Sequence, residues 1–427
     1  MTSQSIVIKG GTIVNRDRVF TADVLIIDGQ IAQVGSDLTG DRIVDATSMY
    51  VSSGFVDLHT HLREPGKEEA ETIETGSRAA ALGGYTAVVA MPNTDPTQDN
   101  VATIEFVAEQ GRKAGLCEVK PSGSITVGRL GRQVSPIGEL ARAGVSLFTD
   151  DGTGVQDDMV MYRALMLAKE AGVVLAQHCE VSALTNGAVM NEGSCCSHMG
   201  VPGWPAEAEE QMLRRDLDLV RRTSAPMHFL HLSTAGSVEL VRQGKKEGLP
   251  ITAEVTPHHI SLREDLLLGF NPLFKVNPPL RTVVDIDALH AGILDGTIDA
   301  VATDHAPHAD HTKEVPLDEA PPGMLGLETA LGVVCTAVTG DVQKIASLMS
   351  WNPARIARVD ARHGREIAPG EPANIAIWDT TSVWTVSRDL LASRSRNTPY
   401  HGMELRGKVH HTVFNGEVVV HNGKAQK

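Results

Sequence analysis

The chain has 427 residues, of which 42% are hydrophobic and 21% charged, and its formal net charge is −15 at pH 7. The acidic balance argues against nucleic acid or an anionic membrane as a partner, because either would need a basic surface. No apolar run approaches the ~20 residues of a membrane helix, and the start of the chain lacks a signal-peptide pattern. The five cysteines, an odd number, do not suggest a disulfide framework. We therefore expect a cytoplasmic protein, long enough for a barrel of about 250 residues plus an appended unit.

The two ends of the chain share a pattern of alternating apolar and polar residues, which is typical of antiparallel strands. Asp28 and Gly29 form a two-residue hairpin signal between two such runs, and Asn-Gly pairs do the same near the C-terminus. Neither group of strands is large enough to bury a face alone. We expect them to pair into one small β-sandwich. The runs comprise residues 5–14, 22–34, 373–378, 410–414 and 417–420.

Between the two ends, the apolar run 54–61 ends in His59 and His61. Residues two apart on a strand point to the same side, so the two imidazoles would lie side by side. Neutral imidazoles so placed can converge on one metal ion at about 2.0–2.1 Å each. The pair predicts a metal site, although a pair of this kind alone is weak evidence.

Four further apolar runs end in polar residues that can bind metal, and helical periodicity lies between them, as in residues 157–171 and 206–222. Chance capping of strands by polar residues would explain one or two such cases but not five. Strand, loop and helix in repeated order predict a (β/α)8 TIM-type barrel, whose chemistry sits at the C-terminal ends of its strands. The runs are 144–149, followed by Asp150 and Asp151; 172–177, by His178; 227–230, by His231; and 298–303, by Asp304.

The predicted domain organisation has three parts. Residues 52–360 form the metal-binding barrel, while residues 1–51 and 361–427 supply the N- and C-terminal parts of the β-sandwich. The polar, proline-rich stretch 306–323 directly follows Asp304 and is typical of a long functional loop.

Several long motifs in this order resemble the dihydroorotase family of the amidohydrolase superfamily, and the resemblance covers nearly the whole chain. The first is His-Thr-His-Leu-Arg-Glu-Pro-Gly at 59–66. The others lie at 71–86, 90–94, 277–281, 304–308 and 397–402. The resemblance implies a metal-bearing barrel beside a small β-sandwich, which agrees with the pattern described above.

The family's reaction, as the resemblance implies it, is the zinc-dependent reversible cyclisation of N-carbamoyl-L-aspartate to L-dihydroorotate with loss of water, the third step of pyrimidine (UMP) synthesis. His59, His61 and Asp304 would hold one zinc, and His178 and His231 a second. Asp151 would stand between the metals, where many relatives use a carbamylated lysine, as in the bacterial class I subgroup with a bridging aspartate. The residues alone do not separate Asp151 from Asp150, nor one metal from two.

Opening the dihydroorotate ring is hydrolysis of an unactivated cyclic amide. Metal binding can lower the pKa of water from 15.7 to about 7, which would supply a metal-bound hydroxide as the nucleophile. Asp304 would act as general acid and base, taking the proton and passing it to the leaving ring nitrogen. The alternative is that Asp304 is a metal ligand only.

The substrate also carries a carboxylate that takes no part in the reaction. Arg63, two residues past His61 and on the same face, can bind it as a planar fork. His61, Asn93 and His308 would add contacts, and the resemblance implies that Asn277 and the main chain at Pro322 and Gly323 contact the pyrimidine ring. The alternatives are an Arg63 ion pair with Glu64 or Glu68, a turn at Asn93, and a solvated His308.

Two competing functions remain at this point. A hydantoinase or allantoinase would use a similar barrel on another cyclic amide, but Arg63 and the absent lysine count against it. A catalytically inactive scaffold partner of aspartate transcarbamoylase would be expected to have lost ligands, whereas all six positions are filled. A homodimer and an association with aspartate transcarbamoylase both stay open.

Overall fold

The computed structural model describes residues 5–427. Its N-terminal part consists of antiparallel and parallel strands joined by short turns. Asp28 and Gly29 have φ values of 50° and 79°, the left-handed conformation that a two-residue hairpin turn requires. The predicted hairpin is therefore confirmed. The strands are β1 (Ile6–Val14), β2 (Val19–Ile27), β3 (Gln30–Gly35), β4 (Arg42–Asp45) and β5 (Tyr50–Ser53).

Eight parallel strands follow and close into a ring. β6, β7 and β8 form one parallel sheet, and β9, β10, β13, β14 and β15 form another. Bridges from Gly123 to Phe148 and from Thr60 to His305 join the two sheets on both sides. The predicted (β/α)8 barrel is confirmed. Its strands are β6 (Phe55–Thr60), β7 (Tyr85–Ala90), β8 (Glu118–Pro121), β9 (Leu147–Phe148), β10 (Val174–Gln177), β13 (Met227–Phe229), β14 (Ile251–Val255) and β15 (Ala300–Val301), with the short pair β11 (Met190–Asn191) and β12 (Gly203–Trp204) inserted after β10.

Helices alternate with the barrel strands, as the sequence periodicity predicts. In α4, Asp157 caps the first turn by accepting from the main-chain N–H of Met159 and Val160, and Gly172 ends the helix at φ 70°. The helices are α1 (Ile73–Leu82), α2 (Val101–Ala114), α3 (Ile137–Arg142), α4 (Asp158–Ala171), α5 (Ser182–Thr185), α6 (Ser194–Met199), α7 (Glu207–Thr223), α8 (Ala235–Lys246), α9 (Val283–Asp295), α10 (Asp310–Lys313), α11 (Ala330–Ala337), α12 (Val342–Ala346) and α13 (Asn352–Ile356). Short 3-10 helices lie at Val127–Arg129, Glu264–Gly269, Pro272–Phe274 and Arg388–Leu390, and a π-helical turn at Ser347–Trp351.

The C-terminal strands complete the sheet begun by the N-terminus, because β16 pairs antiparallel with β5. The result is one continuous nine-stranded sheet folded around its own apolar core. The division of the chain at 51/52 and 360/361 stays a prediction, and the nearest elements are β5, which ends at Ser53, and α13, which ends at Ile356. The strands are β16 (Ile375–Thr385), β17 (Glu404–Phe414), β18 (Glu417–His421) and β19 (Lys424–Ala425).

The barrel interior changes character along its axis. Aliphatic side chains such as Val56, Leu58 and Val89 fill it between the strands and form one buried cluster. Histidine and aspartate side chains follow at the C-terminal ends of the strands. Among residues 5–427, none of the helices is both long and apolar enough to cross a membrane.

Candidate metal centre

The residues predicted to bind metal lie together at the C-terminal ends of the barrel strands, and all of them are buried. They come from five different strands, whose C-terminal ends lie at the same edge of the ring because the strands are parallel. The structure thereby gathers side chains from 59 to 304 into one cluster. They are His59 and His61 at the end of β6, Asp151 after β9, His178 after β10, His231 after β13 and Asp304 after β15.

Two groups of potential ligands share one carboxylate. In the first, Nε2 of His59 lies 3.4 Å from Oδ1 of Asp151, and Nε2 of His61 lies 3.4 Å from Oδ2. In the second, Nδ1 of His178 and Nε2 of His231 each lie 3.4 Å from Oδ1 of the same aspartate. Asp151 therefore separates two adjacent positions that could each hold a cation.

Asp304 and Asp150 differ in where their carboxylates point. Oδ1 of Asp304 lies 3.4 Å from Nε2 of His59 and 3.0 Å from Nε2 of His61, beside the first group. Asp150 instead accepts from the main-chain N–H of Thr126 at 3.0 Å and from its hydroxyl. Of the two adjacent aspartates, Asp151 is therefore the one whose carboxylate faces the histidines.

The arrangement fits a metal ion in its donor set and in its spacing. Nε2 of His59 is buried and makes no hydrogen bond among the described residues. Two ligands held at about 2.0–2.1 Å from a tetrahedral ion stand about 3.3 Å apart, close to the 3.4 Å spacings found here. Imidazole nitrogens with carboxylate oxygens also suit a first-row transition metal such as zinc.

The electrostatics of the cluster agree with this interpretation. Burial disfavours the charged ring of His59, but the charges of Asp151 and Asp304 outweigh it and raise its pKa well above the ordinary value. Burial likewise opposes protonation of His178, whose contacts with Asp151 and Glu180 raise its pKa to about 9. The negative charges of the carboxylates therefore favour a positive charge at this place in the barrel.

Three polar residues orient three of the histidines, each by a hydrogen bond to the ring nitrogen that does not face Asp151. The Nδ1–H of His59 donates to Oε1 of Glu254 at 3.0 Å, and the Nδ1–H of His61 donates to Oδ1 of Asn93 at 2.9 Å. Nε2–H of His178 donates to Oε2 of Glu180 at 2.9 Å.

Sequence reasoning missed Glu180 and Glu254 among these orienting residues. The available signal was a single acidic residue inside the otherwise uncharged strand β14, and an acidic residue two positions after His178.

Arg63 and His308 face each other at the mouth of the barrel. Arg63 donates from Nε to the carbonyl of Pro307 at 3.0 Å, and its guanidinium lies 3.5 Å from Nε2 of His308. That nitrogen donates to the carbonyl of Pro322 at 2.9 Å. Burial and the charge of Arg63 lower the pKa of His308 to about 2, so His308 is neutral.

The remaining residues predicted to bind substrate use some of their polar atoms in hydrogen bonds within the chain. The amide nitrogen of Asn277 donates to Glu180 at 3.3 Å, whereas its buried oxygen has no hydrogen-bond partner among the described residues. The N–H of Gly323 donates to the carbonyl of Lys275 at 2.9 Å. The carbonyls of Pro322 and Gly323 each accept one hydrogen bond and keep a second lone pair.

A second guanidinium near the cluster was not expected from sequence. Arg129 donates to the main-chain carbonyl of Asp151, and its buried Nε has no partner within residues 5–427. It lies in a 3-10 turn after β8, a loop whose sequence carries no recognisable signal for the site.

The fold is shared with solved cyclic-amide hydrolases. An L-hydantoinase (dihydropyrimidinase) from Arthrobacter aurescens aligns with a TM-score of 0.88 and 24% identity, covering 99% of this chain and 98% of its own. A dihydropyrimidinase from Brevibacillus agri gives 0.83 and 22%, covering 99% and 96%. These likenesses show the fold, a (β/α)8 barrel beside a sheet built from both ends of the chain.

Sequence comparison assigns the chain to the amidohydrolase superfamily and, within it, to one family. A family model described as dihydro-orotase-like matches residues 49–237. Dihydroorotases from Mycobacterium tuberculosis and Streptomyces coelicolor are 48% and 47% identical over 412 and 409 residues, each covering 94% of this chain and 95% of the relative. The chain belongs to the dihydroorotase family.

Proposed function

We propose that the protein is a zinc-dependent dihydroorotase that interconverts N-carbamoyl-L-aspartate and L-dihydroorotate in pyrimidine synthesis. The observation that carries the proposal is Asp151, whose carboxylate stands between two groups of histidine nitrogens at 3.4 Å. Near-full-length identity of 48% to a dihydroorotase supports the choice of reaction.

We assign two zinc ions to the cluster. His59, His61 and Asp304 would hold one, His178 and His231 the other, and Asp151 would bridge them, as in the bacterial class I subgroup that has aspartate in place of a carbamylated lysine. When bound, the metal lowers the pKa of water and polarises the carbonyl that is attacked.

The chain's own residues would bind and orient the substrate. Arg63 offers a buried guanidinium to the carboxylate outside the reacting bond. The amide nitrogen of Asn93 can donate to the same group, since among residues 5–427 only the oxygen of this amide is hydrogen-bonded, to His61. The unpartnered oxygen of Asn277 can accept from an N–H of the pyrimidine ring, and His308 and the main chain at 322–323 would border the ring.

Asp304 would move the proton. In ring opening the amide C–N bond breaks, and Asp304 takes the proton of the attacking water and delivers it to the leaving ring nitrogen. In cyclisation it takes a proton from the ureido nitrogen as that atom attacks the side-chain carboxyl carbon. It hands this proton to the carboxyl oxygen that leaves as the C–O bond breaks, and a second proton from solvent completes the water. Burial opposes ionisation of Asp304, but the charges of His59 and His61 hold its pKa below the ordinary value, so the carboxylate is the resting form.

The decisive experiment measures hydrolysis of dihydroorotate, hydantoin and allantoin by the zinc-loaded protein, with zinc content determined in the same sample. We expect turnover of dihydroorotate and its formation from carbamoyl aspartate. Turnover of hydantoin alone would contradict the proposal in favour of a hydantoinase. A fully loaded protein without turnover would favour a scaffold. Self-association, association with aspartate transcarbamoylase and the cytoplasmic compartment stay predictions.

A further inference from the structure

A carboxylate lies between two imidazoles inside the barrel, beneath the metal cluster. Oε1 of Glu254 lies 3.0 Å from Nδ1 of His59, and Oε2 lies 2.9 Å from Nε2 of His228. All three side chains have no solvent exposure. Both oxygens of a buried charge are thus hydrogen-bonded, which offsets the cost of removing it from water.

This contact fixes which nitrogen of His59 faces the cluster. An ionised carboxylate only accepts hydrogen bonds, so Nδ1 of His59 must carry the proton. In the neutral ring Nε2 then holds the free lone pair, and Nε2 is the atom that faces Asp151 and Asp304 at 3.4 Å. The same Nε2 is buried without a hydrogen bond in residues 5–427.

His228 and Thr252 hold the carboxylate in place from the other side. They are paired residues on the neighbouring strands β13 and β14, and Nδ1 of His228 lies 2.8 Å from the hydroxyl of Thr252. With Nε2–H donating to Glu254, Nδ1 of His228 accepts from that hydroxyl. The orientation of Glu254 is therefore set by two strands of the barrel.

We propose that Glu254 is a positioning residue that fixes the tautomer of His59 and strengthens His59 as a metal ligand. The inference rests on the proposed metal centre and adds to it a residue that touches neither substrate nor metal. A carboxylate behind a ligating histidine raises the basicity of the ligand, and losing such a partner costs about 10- to 100-fold in metal affinity.

The test compares Glu254→Gln with a matched control, Glu264→Gln. Glutamine has nearly the same shape and can still accept from His59, while its amide can donate to His228 after that ring exchanges its proton between nitrogens. The negative charge alone is lost. Glu264 is also buried and accepts from the amide nitrogen of Asn191 at 2.7 Å, but within residues 5–427 its carboxylate has no hydrogen bond to a residue of the metal cluster.

Zinc dissociation constants of the metal-free proteins are measured by competition with a chelator, beside the free energy of unfolding without metal. We expect Glu254→Gln to weaken zinc binding by about 10- to 100-fold and Glu264→Gln to leave it within a factor of about two. Equal zinc affinities in both variants and the unaltered protein would overturn the inference. An unaltered chain that binds no zinc would overturn the metal centre and this inference together.

A measurement on the unaltered protein covers the case in which Glu254→Gln does not fold. Nitrogen-15 NMR of the zinc-loaded, histidine-labelled protein should show His59 protonated at Nδ1 and metal-bound through Nε2, with the signal assigned by its loss in His59→Asn. A zinc-bound Nδ1 at His59 would overturn the assignment of Glu254.

Discussion

Arg63 ties the end of the first barrel strand to the loop after the last one, since its Nε donates to the carbonyl of Pro307 at 3.0 Å. Arg63 is 8% exposed and forms no ion pair with any residue of the described chain. Burial lowers its pKa to about 10, so it remains a cation at neutral pH. The predicted alternative of an ion pair with Glu64 or Glu68 is not what the structure shows, and a buried, uncompensated cation favours an anionic ligand.

Arg63→Ala should lower kcat/KM for dihydroorotate by about 10- to 150-fold, because a hydrogen bond to a charged group contributes about 1.5–3 kcal/mol. Arg63→Lys should recover only part of this, since lysine lacks the planar fork. Saturation kinetics in both directions measure the effect. Arg163→Ala, an exposed change on α4, is the control, and an unchanged kcat/KM for Arg63→Ala would mean that the carboxylate is held elsewhere.

Asp304→Asn should abolish most turnover, by about 10²- to 10⁴-fold, because asparagine cannot exchange the proton. The fold should persist, as asparagine has nearly the same shape. Circular dichroism and zinc content accompany the assay, so that a loss of metal is recognised. Asp310→Asn, an exposed change in the loop 306–323 that follows Asp304, serves as control. Near-native turnover of Asp304→Asn would leave Asp304 as a ligand only.

The neighbouring aspartates provide a matched pair. Asp151→Asn should lose bound zinc, since the shared carboxylate faces all four histidines. Asp150→Asn should keep its zinc and instead lower the free energy of unfolding by about 1–3 kcal/mol, because one of the two oxygens that accept from the buried Thr126 becomes an amide nitrogen. Elemental analysis and denaturant unfolding separate the two effects. Zinc loss from Asp150→Asn alone would reverse the assignment.

Much of this site is readable from sequence because a barrel gathers the C-terminal ends of its strands. His59, Asp151, His178, His231 and Asp304 each stand where an apolar run stops, and parallel strands deliver such positions to one edge. The alternation of side chains along a strand does not tell which of Asp150 and Asp151 faces the cluster. That choice depends on Thr126, which lies on a loop after another strand and draws Asp150 away.

The residues that orient the histidines could not be predicted from sequence for a related reason. Glu254 lies 195 positions from His59 in the chain, and an acidic residue in a strand is equally consistent with a salt bridge or a solvated edge. Its role follows only from the order of strands around the ring. The hairpin turns, in contrast, could be predicted from sequence, because the Asp-Gly and Asn-Gly turns depend on two adjacent residues with positive φ.

Zinc affinity should rise with pH between 6 and 9. The contacts of His178 with Asp151 and Glu180 raise its pKa to about 9 in spite of burial, so at pH 7 the metal-free ring is protonated and zinc must displace that proton. Raising the pH removes this competing proton, and a proton on His59, whose pKa is also raised, adds to the same rise. Chelator competition between pH 6 and 9.5, corrected for protonation of the chelator, measures it. A pH-independent affinity would contradict protonation of His178 in the metal-free protein.

Lys313 is one of the residues that anchor the loop 306–323. Its buried Nζ donates to the carbonyls of Pro321 at 2.7 Å and Pro272 at 3.1 Å. Lys275 adds a second anchor by donating to the carbonyl of Leu317 at 2.7 Å. Burial and the neighbouring charges of Lys275 and Arg63 lower the pKa of Lys313 to about 7, so much of its hold on the loop comes from hydrogen bonds rather than from charge.

Lys313→Met keeps the length of the side chain but removes its donors, which should cost about 1–3 kcal/mol of loop stability. Hydrogen exchange of the main chain in 306–323 should accelerate by about tenfold or more, and kcat/KM should fall because His308 and Pro307 are carried on this loop. Lys113→Met, an exposed change on α2, is the control. If exchange in the loop stays the same while kcat/KM falls, Lys313 acts on the substrate by its charge, and the anchoring role is wrong.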